Sequence, residues 1–332
     1  MAHRRPVASG DRTRMERSTG MESAFASEVP LTDEERSRLA DDGYLVLRGV
    51  LPDDALQPVR DALAAVVDRM ARQWRDEGLI EQLHEDAPFT TRWWLIRQQL
   101  PALRPVTWRR VLVSEAMYRL WRRPELTGRM RSWLGDELWA HDTWNGRPRE
   151  PWAPVQKIGW HQDAYYLRGW EPADGNILTC WIPLVPVDAR AGCLQILPGS
   201  HRHGVIPPEF DEFRNKNVSV ERLGHIEPVT LPTVPGDVVI FTESTVHQAL
   251  PNESEGVRWT VDVRFGAESP AMRRKARGGY LCRTAGDPGR IESYDEWAAK
   301  YDPRTGAMAA QLRAIDAAAM RSGSMARDIS TY

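Results

Sequence analysis

The 332-residue chain lacks the long apolar runs and the charge excess of membrane and nucleic-acid-binding proteins. No segment approaches the roughly 18 apolar residues that a membrane-spanning helix needs, so we expect no membrane partner. Lysine and arginine total 44 against 46 aspartate and glutamate, and this net charge of −2 argues against nucleic acid as a partner. The three cysteines, Cys180, Cys193 and Cys282, form neither a disulfide scaffold nor a paired zinc motif. We expect a protein of a reducing compartment, by default the cytoplasm, with its oligomeric state left open.

Composition divides the chain into three parts. Residues 1–28 are basic and polar with no apolar stretch, which predicts a disordered or loosely ordered tail and no secretory signal. Residues 29–267 carry the apolar patterns of one folded domain. Residues 268–332 include an Ala-rich segment and predict an appended C-terminal extension that is partly helical.

Helical signals dominate the first half of the folded part. Thr32 and Glu35 form a capping box for a short helix, and Gly43 suits its end. From Asp53 onward, apolar residues recur at spacings of three and four and predict a longer helix. Residues 80–150 mix arginine, tryptophan and proline, and we expect them to be helical in parts.

After about residue 155, short β-rich segments alternate with turns that contain proline and glycine. Such a pattern is typical of a sandwich or small barrel. Helices followed by strands predict an α+β, mainly β fold in which the helices buttress one side of the β core. The predicted strands are Val155–Trp160, Ile177–Val185, Cys193–Leu197, Val229–Leu231, Val238–Phe241 and Val257–Phe265.

Two histidines and an aspartate form a candidate metal site. His161 and Asp163 end a predicted strand and are two residues apart, so they project from the same face. His247 follows a later strand. Two imidazoles and one carboxylate leave coordination positions open, as non-haem Fe(II) oxygenases require. A hydrolytic zinc site uses the same ligand types, so this spacing alone leaves the metal open.

The segment Val257–Phe265 alternates apolar and polar residues, which predicts a strand with one buried face and one polar face. A guanidinium on the polar face, if it points into a cavity, can bind the carboxylate of a dicarboxylate co-substrate. Arg258 and Arg264 lie about 20 Å apart along such a strand, so we expect only one to serve a ligand at the metal. Arg258 is the candidate, because a hairpin can return it to His247. Alternatively, both arginines lie on the surface and form ion pairs there.

At these residues the sequence resembles the phytanoyl-CoA dioxygenase family of Fe(II)- and 2-oxoglutarate-dependent oxygenases. The resemblance covers residues 31 to 267 in order. Its matching pieces are LADDGYLVLRGVLPDDAL at 39–56, HQDAYYL at 161–167, TCWIPL at 179–184, GCLQILPGSH at 192–201, HQALPN at 247–252, and Arg258.

The resemblance implies a double-stranded β-helix, the cupin-like jelly roll. It implies that His161, Asp163 and His247 hold Fe(II), through which O2 is used in catalysis. It also implies that Arg258 binds the distal carboxylate of 2-oxoglutarate, and that Trp181 lies against this co-substrate. Ascorbate is expected to help activity in vitro.

The sequence departs from the family near the co-substrate. The family often has a serine two residues after the second histidine, and this chain has Ala249. Thr260 is then our candidate for a hydroxyl partner of Arg258. Related halogenases lack the metal-binding carboxylate, so the intact Asp163 favours an O2-derived oxidation.

The expected reaction is hydroxylation of an unactivated C–H of a small organic molecule, with release of succinate and CO2, in bacterial specialised metabolism. Alternatives are desaturation, epoxidation or cyclisation by the same chemistry, a carrier-linked, CoA-linked or nucleic-acid substrate, and a jelly-roll protein that binds without turnover.

Aromatic residues give the candidates for a substrate pocket. Tyr165 and Tyr166 directly follow the metal ligands, and Trp93 and Trp94 lie in a stretch, residues 91–131, that holds ten arginines and two glutamates. This Arg/Trp stretch can cradle an anionic substrate or stack nucleobases. Alternatively, its arginines form solvated helix faces and its tryptophans pack on the β core.

Overall fold

A computed structural model describes residues 28–100, 108–152, 158–167, 177–210, 216–269, 277–302 and 304–310. Within these ranges the helices are α1 (Asp33–Asp42), α2 (Asp53–Asp76), α3 (Phe89–Gln98), α4 (Trp108–Val111), α5 (Glu115–Trp121), α6 (Pro124–Leu134) and α7 (Tyr294–Ala299).

The strands, in chain order, are β1 (Tyr44–Leu47), β2 (Leu138–Ala140), β3 (Asn145–Arg149), β4 (Ile158–His161), β5 (Ile177–Pro183), β6 (Leu194–Ile196), β7 (Glu209–Phe210), β8 (Lys216–Asn217), β9 (Val229–Leu231), β10 (Val238–Thr242), β11 (His247–Ala249), β12 (Arg258–Ala267) and β13 (Tyr280–Arg283).

The first helix forms as its capping signals predict. The Thr32 hydroxyl accepts from the backbone N–H of Glu35, and the Glu35 carboxylate accepts from the backbone N–H of Thr32. Gly43 ends the helix in a left-handed conformation with φ of 77°, which glycine adopts at little cost. The longer helix begins at Asp53, as expected, and buries its apolar face in the main core.

Two antiparallel sheets make up the β core. The large sheet has the order β1-β10-β5-β12-β2-β13, and β3 pairs with β12 beside β2. The small sheet has the order β4-β11-β6-β9. This arrangement, with helices packed on the large sheet, is the predicted jelly roll buttressed by helices.

Strand β12 runs through the large sheet and separates the core from the cavity. Its apolar side packs on the helices: the Trp259 ring stacks on Phe89 at 5.0 Å and meets Trp108 edge-on at 5.2 Å between ring centroids. Its polar side carries Arg258 and Arg264, both buried. The alternation therefore predicted both faces correctly.

The aromatic rings of the Arg/Trp stretch pack in the core. Trp93, Trp108, Tyr118 and Trp121 are all buried, so these rings provide no stacking platform for bases. Five of the described arginines there form ion pairs with acidic side chains: Arg92–Asp68, Arg97–Glu150, Arg119–Glu115, Arg123–Glu125 and Arg131–Asp136. The packing interpretation of this stretch is the one that the structure supports.

The segment after residue 267 is not an appended element, at least as far as residue 310. Its strand β13 forms an edge of the large sheet beside β2, and Trp297 of α7 is 1% exposed in the main core. At the other end, Glu28 is held by Arg283 and Thr127, so it belongs to the folded unit rather than to the tail. The Ala-rich segment lies mostly outside the described residues.

No helix in the described part of the chain is both long and apolar enough to cross a membrane.

We predict that Trp297→Ala lowers the free energy of unfolding by about 3–5 kcal/mol, because it empties a packed aromatic site. Denaturant unfolding measures this. Trp152→Ala, at a ring that is 63% exposed, is the control and should change stability by less than about 0.5 kcal/mol. An equally small effect of Trp297→Ala would show that the C-terminal segment is not part of the core. The rings within about 6 Å of Trp297 are Tyr118, Trp121, Trp144, Tyr280 and Tyr301.

Candidate metal centre

The small sheet brings the two histidines together. His161 ends β4 and His247 begins β11, and the two residues are direct cross-strand partners. Asp163 opens the short 3-10 turn that follows β4. One ligand atom from each of the three buried side chains lies within 4.8 Å of the others. The predicted triad therefore forms a compact group.

Backbone carbonyls fix the orientation of both imidazoles. Nδ1 of His161 lies 2.9 Å from the carbonyl oxygen of Gly159, and Nδ1 of His247 lies 3.0 Å from that of Thr245. A carbonyl only accepts, so each Nδ1 carries the proton and each Nε2 presents its lone pair. Burial lowers the pKa of His161 to about 3 and also lowers the pKa of His247. Both rings are neutral at physiological pH, as metal ligands must be.

The Asp163 carboxylate is held through one of its two oxygens. Oδ2 accepts from Oγ1 of Thr179 at 2.7 Å and from Nε and Nη2 of Arg264 at 3.1 and 2.7 Å. Oδ1 accepts no hydrogen bond from the described residues. Burial by itself raises the pKa of Asp163, but the Arg264 guanidinium and the two imidazoles outweigh it and lower the pKa. The carboxylate is therefore ionised, with Oδ1 available to a metal.

Arg264 is itself held by a chain of alternating charges. Its Nη1 donates to Oδ2 of Asp262 at 2.9 Å and to the carbonyl of Thr143 at 2.9 Å. Arg147 donates from Nε to Oδ1 of the same Asp262 at 2.5 Å. These contacts fix the guanidinium against Asp163.

Our sequence reasoning missed the role of Arg264. The alternation of β12 had placed it on the polar face, but its distance from Arg258 suggested that only one arginine reaches the metal. In the structure both line the same cavity, with Arg264 against the metal ligand Asp163 and Arg258 elsewhere in the cavity wall. Thr179 lies in the family-like TCWIPL segment, and nothing in that segment's pattern predicts its contact with Asp163.

A partly enclosed cavity contains the triad. The imidazoles, the carboxylate and Arg258 thus share one space between the two sheets. Its described lining residues are Thr143, Asn145, Arg147, Arg149, His161, Asp163, Tyr166, Thr179, Trp181, Leu194, Phe241, His247, Ala249, Arg258, Asp262 and Arg264.

Arg258 is a buried cation in the wall of this cavity. Its Nη1 donates to the carbonyl of Gly192 at 2.6 Å, and its guanidinium lies 5.7 Å from the Trp181 ring centroid. Its Nε has no hydrogen-bond partner among the described residues. Burial, reinforced by the guanidinium groups of Arg149 and Arg147, lowers the pKa of Arg258 well below its usual value. A buried cation with an open donor fits a carboxylate ligand.

The donor set also fits a divalent iron. Two neutral Nε2 atoms and one carboxylate oxygen lie close together. Backbone carbonyls hold the imidazoles, and Arg264 and Thr179 hold the carboxylate. Such a set leaves positions for a chelating ligand and for O2.

The structure corrects part of the predicted pocket. Trp181 and Tyr166 line the cavity, whereas Tyr165, Trp93 and Trp94 do not. Tyr165 packs in a separate apolar cluster and donates its hydroxyl to the carbonyl of Ile206 at 2.6 Å. Trp93 is in the main core, where its Nε1 donates to Glu150, and Trp94 packs against that core.

Thr260 is also absent from the described lining of the cavity. It lies on β12 between Arg258 and Asp262, opposite Arg147, and its hydroxyl makes no hydrogen bond in the described part of the chain. Arg258 and Asp262 beside it and Arg147 opposite it line the cavity instead. Ala249 does line the cavity, so the usual serine position there is apolar.

Comparison with known proteins identifies the family. Residues 39–260 match the family model of phytanoyl-CoA dioxygenase (PhyH). The chain therefore belongs to the phytanoyl-CoA dioxygenase family. It is an iron- and 2-oxoglutarate-dependent non-haem dioxygenase.

Curated relatives cover most of the chain. It is 26% identical over 298 residues to 1-deoxypentalenic acid 11-beta-hydroxylase of Streptomyces exfoliatus, which covers 81% of this chain and 98% of the relative. It is 24% identical over 246 residues to the peroxisomal phytanoyl-CoA dioxygenase of Mus musculus, which covers 71% and 69%.

Among solved structures, the chain is similar to EctD from S. alaskensis with bound Fe, at 22% identity and a TM-score of 0.49 over 74% of this chain and 82% of that one. It is also similar to the epimerase SnoN in complex with Fe3+, alpha ketoglutarate and nogalamycin RO, at 21% identity and a TM-score of 0.47 over 83% and 93%.

We predict that Thr179→Val weakens metal binding about tenfold or more, because it frees the Asp163 carboxylate to rotate. Anaerobic titration of metal-free protein with Co(II) measures the dissociation constant. The matched control is Thr230→Val, whose hydroxyl bonds Gln195 on the small sheet and does not line the cavity. Equal Co(II) affinities in both variants and the wild type would contradict this role of Thr179.

We also predict that acid destabilises the metal-free protein through its buried histidines. Unfolded His161 takes up a proton below about pH 6.5, whereas the folded ring stays neutral down to about 3. In this window the unfolded state binds more protons, so stability falls as pH falls, by up to about 1.4 kcal/mol per pH unit for this residue.

Denaturant unfolding between about pH 5 and pH 7, with a chelator present, measures this slope. His161→Gln should make the unfolding free energy depend less steeply on pH, because the unfolded state then binds about one proton fewer relative to the folded state. His225→Gln, at a side chain that is 93% exposed, is the control. An unchanged slope in His161→Gln would contradict the prediction.

Proposed function

We propose that this dioxygenase hydroxylates an unactivated C–H bond of a small organic molecule, with release of succinate and CO2. One observation carries the proposal: the metal-ligand triad lines the same cavity as the buried Arg258 guanidinium, whose Nε bonds to none of the residues that the structure describes. Iron and 2-oxoglutarate, when bound, together supply the oxidation of a C–H bond by O2.

In this proposal His161, Asp163 and His247 hold Fe(II) through the two Nε2 atoms and Oδ1. Arg258 binds the distal carboxylate of 2-oxoglutarate, which neutralises a cation that is otherwise buried. The Trp181 ring, beside Arg258, lies against the co-substrate chain.

The remaining wall suits an organic substrate with apolar surface. Phe241, Leu194 and Ala249 are apolar lining residues, and the Phe241 ring lies 4.4 Å from the His247 ring between centroids. The Tyr166 ring lies 6.2 Å from that of His161. Together they place apolar surface next to the metal and restrict water there, which protects the protein from side reactions.

The relatives support a small molecule as the substrate. One is named for its action on 1-deoxypentalenic acid and comes from Streptomyces, which favours a role in bacterial specialised metabolism. Three buried cysteines with free thiols fit a reducing compartment, and we propose the cytoplasm.

We predict that the protein forms succinate from 2-oxoglutarate under air with Fe(II) and ascorbate. His161→Ala should abolish this activity. Arg258→Ala should raise the KM for 2-oxoglutarate by about thirtyfold or more, because the charged partner of a buried carboxylate is lost. Arg119→Ala, at an exposed arginine paired with Glu115, is the control and should leave KM unchanged.

Members of this chemical class can require substrate for turnover, so binding is measured as well. Anaerobic addition of 2-oxoglutarate to the Fe(II)-loaded protein should give a metal-to-ligand charge-transfer band. Absence of both the band and succinate would contradict the proposed function.

A further inference from the structure

One buried amide in the cavity has no hydrogen-bond partner. Asn145 is 0% exposed and lines the cavity, and neither its Nδ2 nor its Oδ1 bonds to any described residue. Buried side-chain amides are nearly always satisfied, because an unpaired polar group costs about as much as a lost hydrogen bond. The amide therefore indicates a ligand.

Packing does not explain the choice of asparagine. Asparagine is depleted in strands, and an apolar residue at the first position of β3 would bury its side chain at no such cost. The next residue, Gly146, packs against Leu112 on the opposite face, so the core side of the strand is already filled. The amide lies on the cavity side of β3.

The register of β3 and β12 locates the amide relative to the co-substrate. Arg149 pairs with Arg258, and Asn145 pairs with Asp262, four residues further along β12. Asp262 in turn bonds Arg264, which holds the metal ligand Asp163. Asn145 is therefore on the same wall as Arg258, displaced toward the metal end of it.

We propose that Asn145 binds the keto-acid half of 2-oxoglutarate by donating a hydrogen bond from Nδ2. This inference rests on the proposed function. A co-substrate held by Arg258 at one end and the triad at the other extends along the β3–β12 wall, where Asn145 offers a buried, uncharged donor. Two charged donors of this wall, Arg147 and Arg264, already bond Asp262, and the amide adds a contact without adding charge beside the metal.

The test uses two 2-oxo acids of the same length, 2-oxoglutarate and 2-oxovalerate, which lacks the distal carboxylate. Each is titrated anaerobically into Fe(II)-loaded wild type, Asn145→Leu, Asn145→Asp and Arg258→Gln, with the charge-transfer band as the readout. The thermal midpoint of each metal-free variant without ligand is measured in parallel.

We expect Asn145→Leu to raise the dissociation constants of both acids about tenfold or more, and Asn145→Asp to raise them further by charge repulsion. Arg258→Gln should weaken only 2-oxoglutarate. The thermal midpoint of metal-free Asn145→Leu should equal or exceed that of the wild type, because the variant removes an unsatisfied polar group.

Three outcomes would overturn the inference. The first is an affinity for both acids within twofold of the wild type in Asn145→Leu and Asn145→Asp. The second is a loss confined to 2-oxoglutarate, which would assign the amide to the distal carboxylate. The third is a lowered midpoint in both ligand-free variants, which would make the amide structural. A wild-type protein that gives no band with either acid would instead contradict the proposed function.

Discussion

The buried ion pair between Arg264 and Asp163 is the contact on which the site depends. Asp163 follows a strand of the small sheet, whereas Arg264 belongs to the large sheet, so this pair joins the two sheets across the cavity. Both guanidinium contacts and the Thr179 hydroxyl meet the same carboxylate oxygen. The other oxygen is thereby left available beside the two imidazoles. The same ion pair therefore joins the two sheets and positions the metal ligand.

Such a contact is stable only because its charges alternate. Buried charges are costly unless each is paired and hydrogen-bonded. Arg147, Asp262, Arg264 and Asp163 form a continuous series in which every carboxylate lies between cationic or hydroxyl donors. Arg258 departs from this pattern, because it forms no ion pair with a carboxylate of the described residues, and a co-substrate carboxylate would complete its pairing. The paired charges around Arg264 therefore stabilise the fold, whereas Arg258, on the same wall, is available to bind a ligand.

The sequence was most informative where local chemistry determines structure. The HxD spacing at His161, the alternation of β12 and the capping box at Thr32 are short-range patterns, and the structure has all three. The sequence was least informative about contacts between segments that lie far apart along the chain. Arg264 contacts Asp163 because the two sheets face each other. The spacing of residues along one strand does not predict this arrangement. Tyr165 likewise turns into a separate apolar cluster because a 3-10 turn, not a continued strand, follows His161.

The most direct test of this account is a crystal structure of the protein grown anaerobically with Fe(II) and 2-oxoglutarate. We predict iron bound by Nε2 of His161 and His247 and by Oδ1 of Asp163 alone, with Oδ2 still held by Arg264 and Thr179. Bidentate coordination by Asp163, with its contact to Arg264 broken, would contradict the central claim, as would iron bound at any other group of residues.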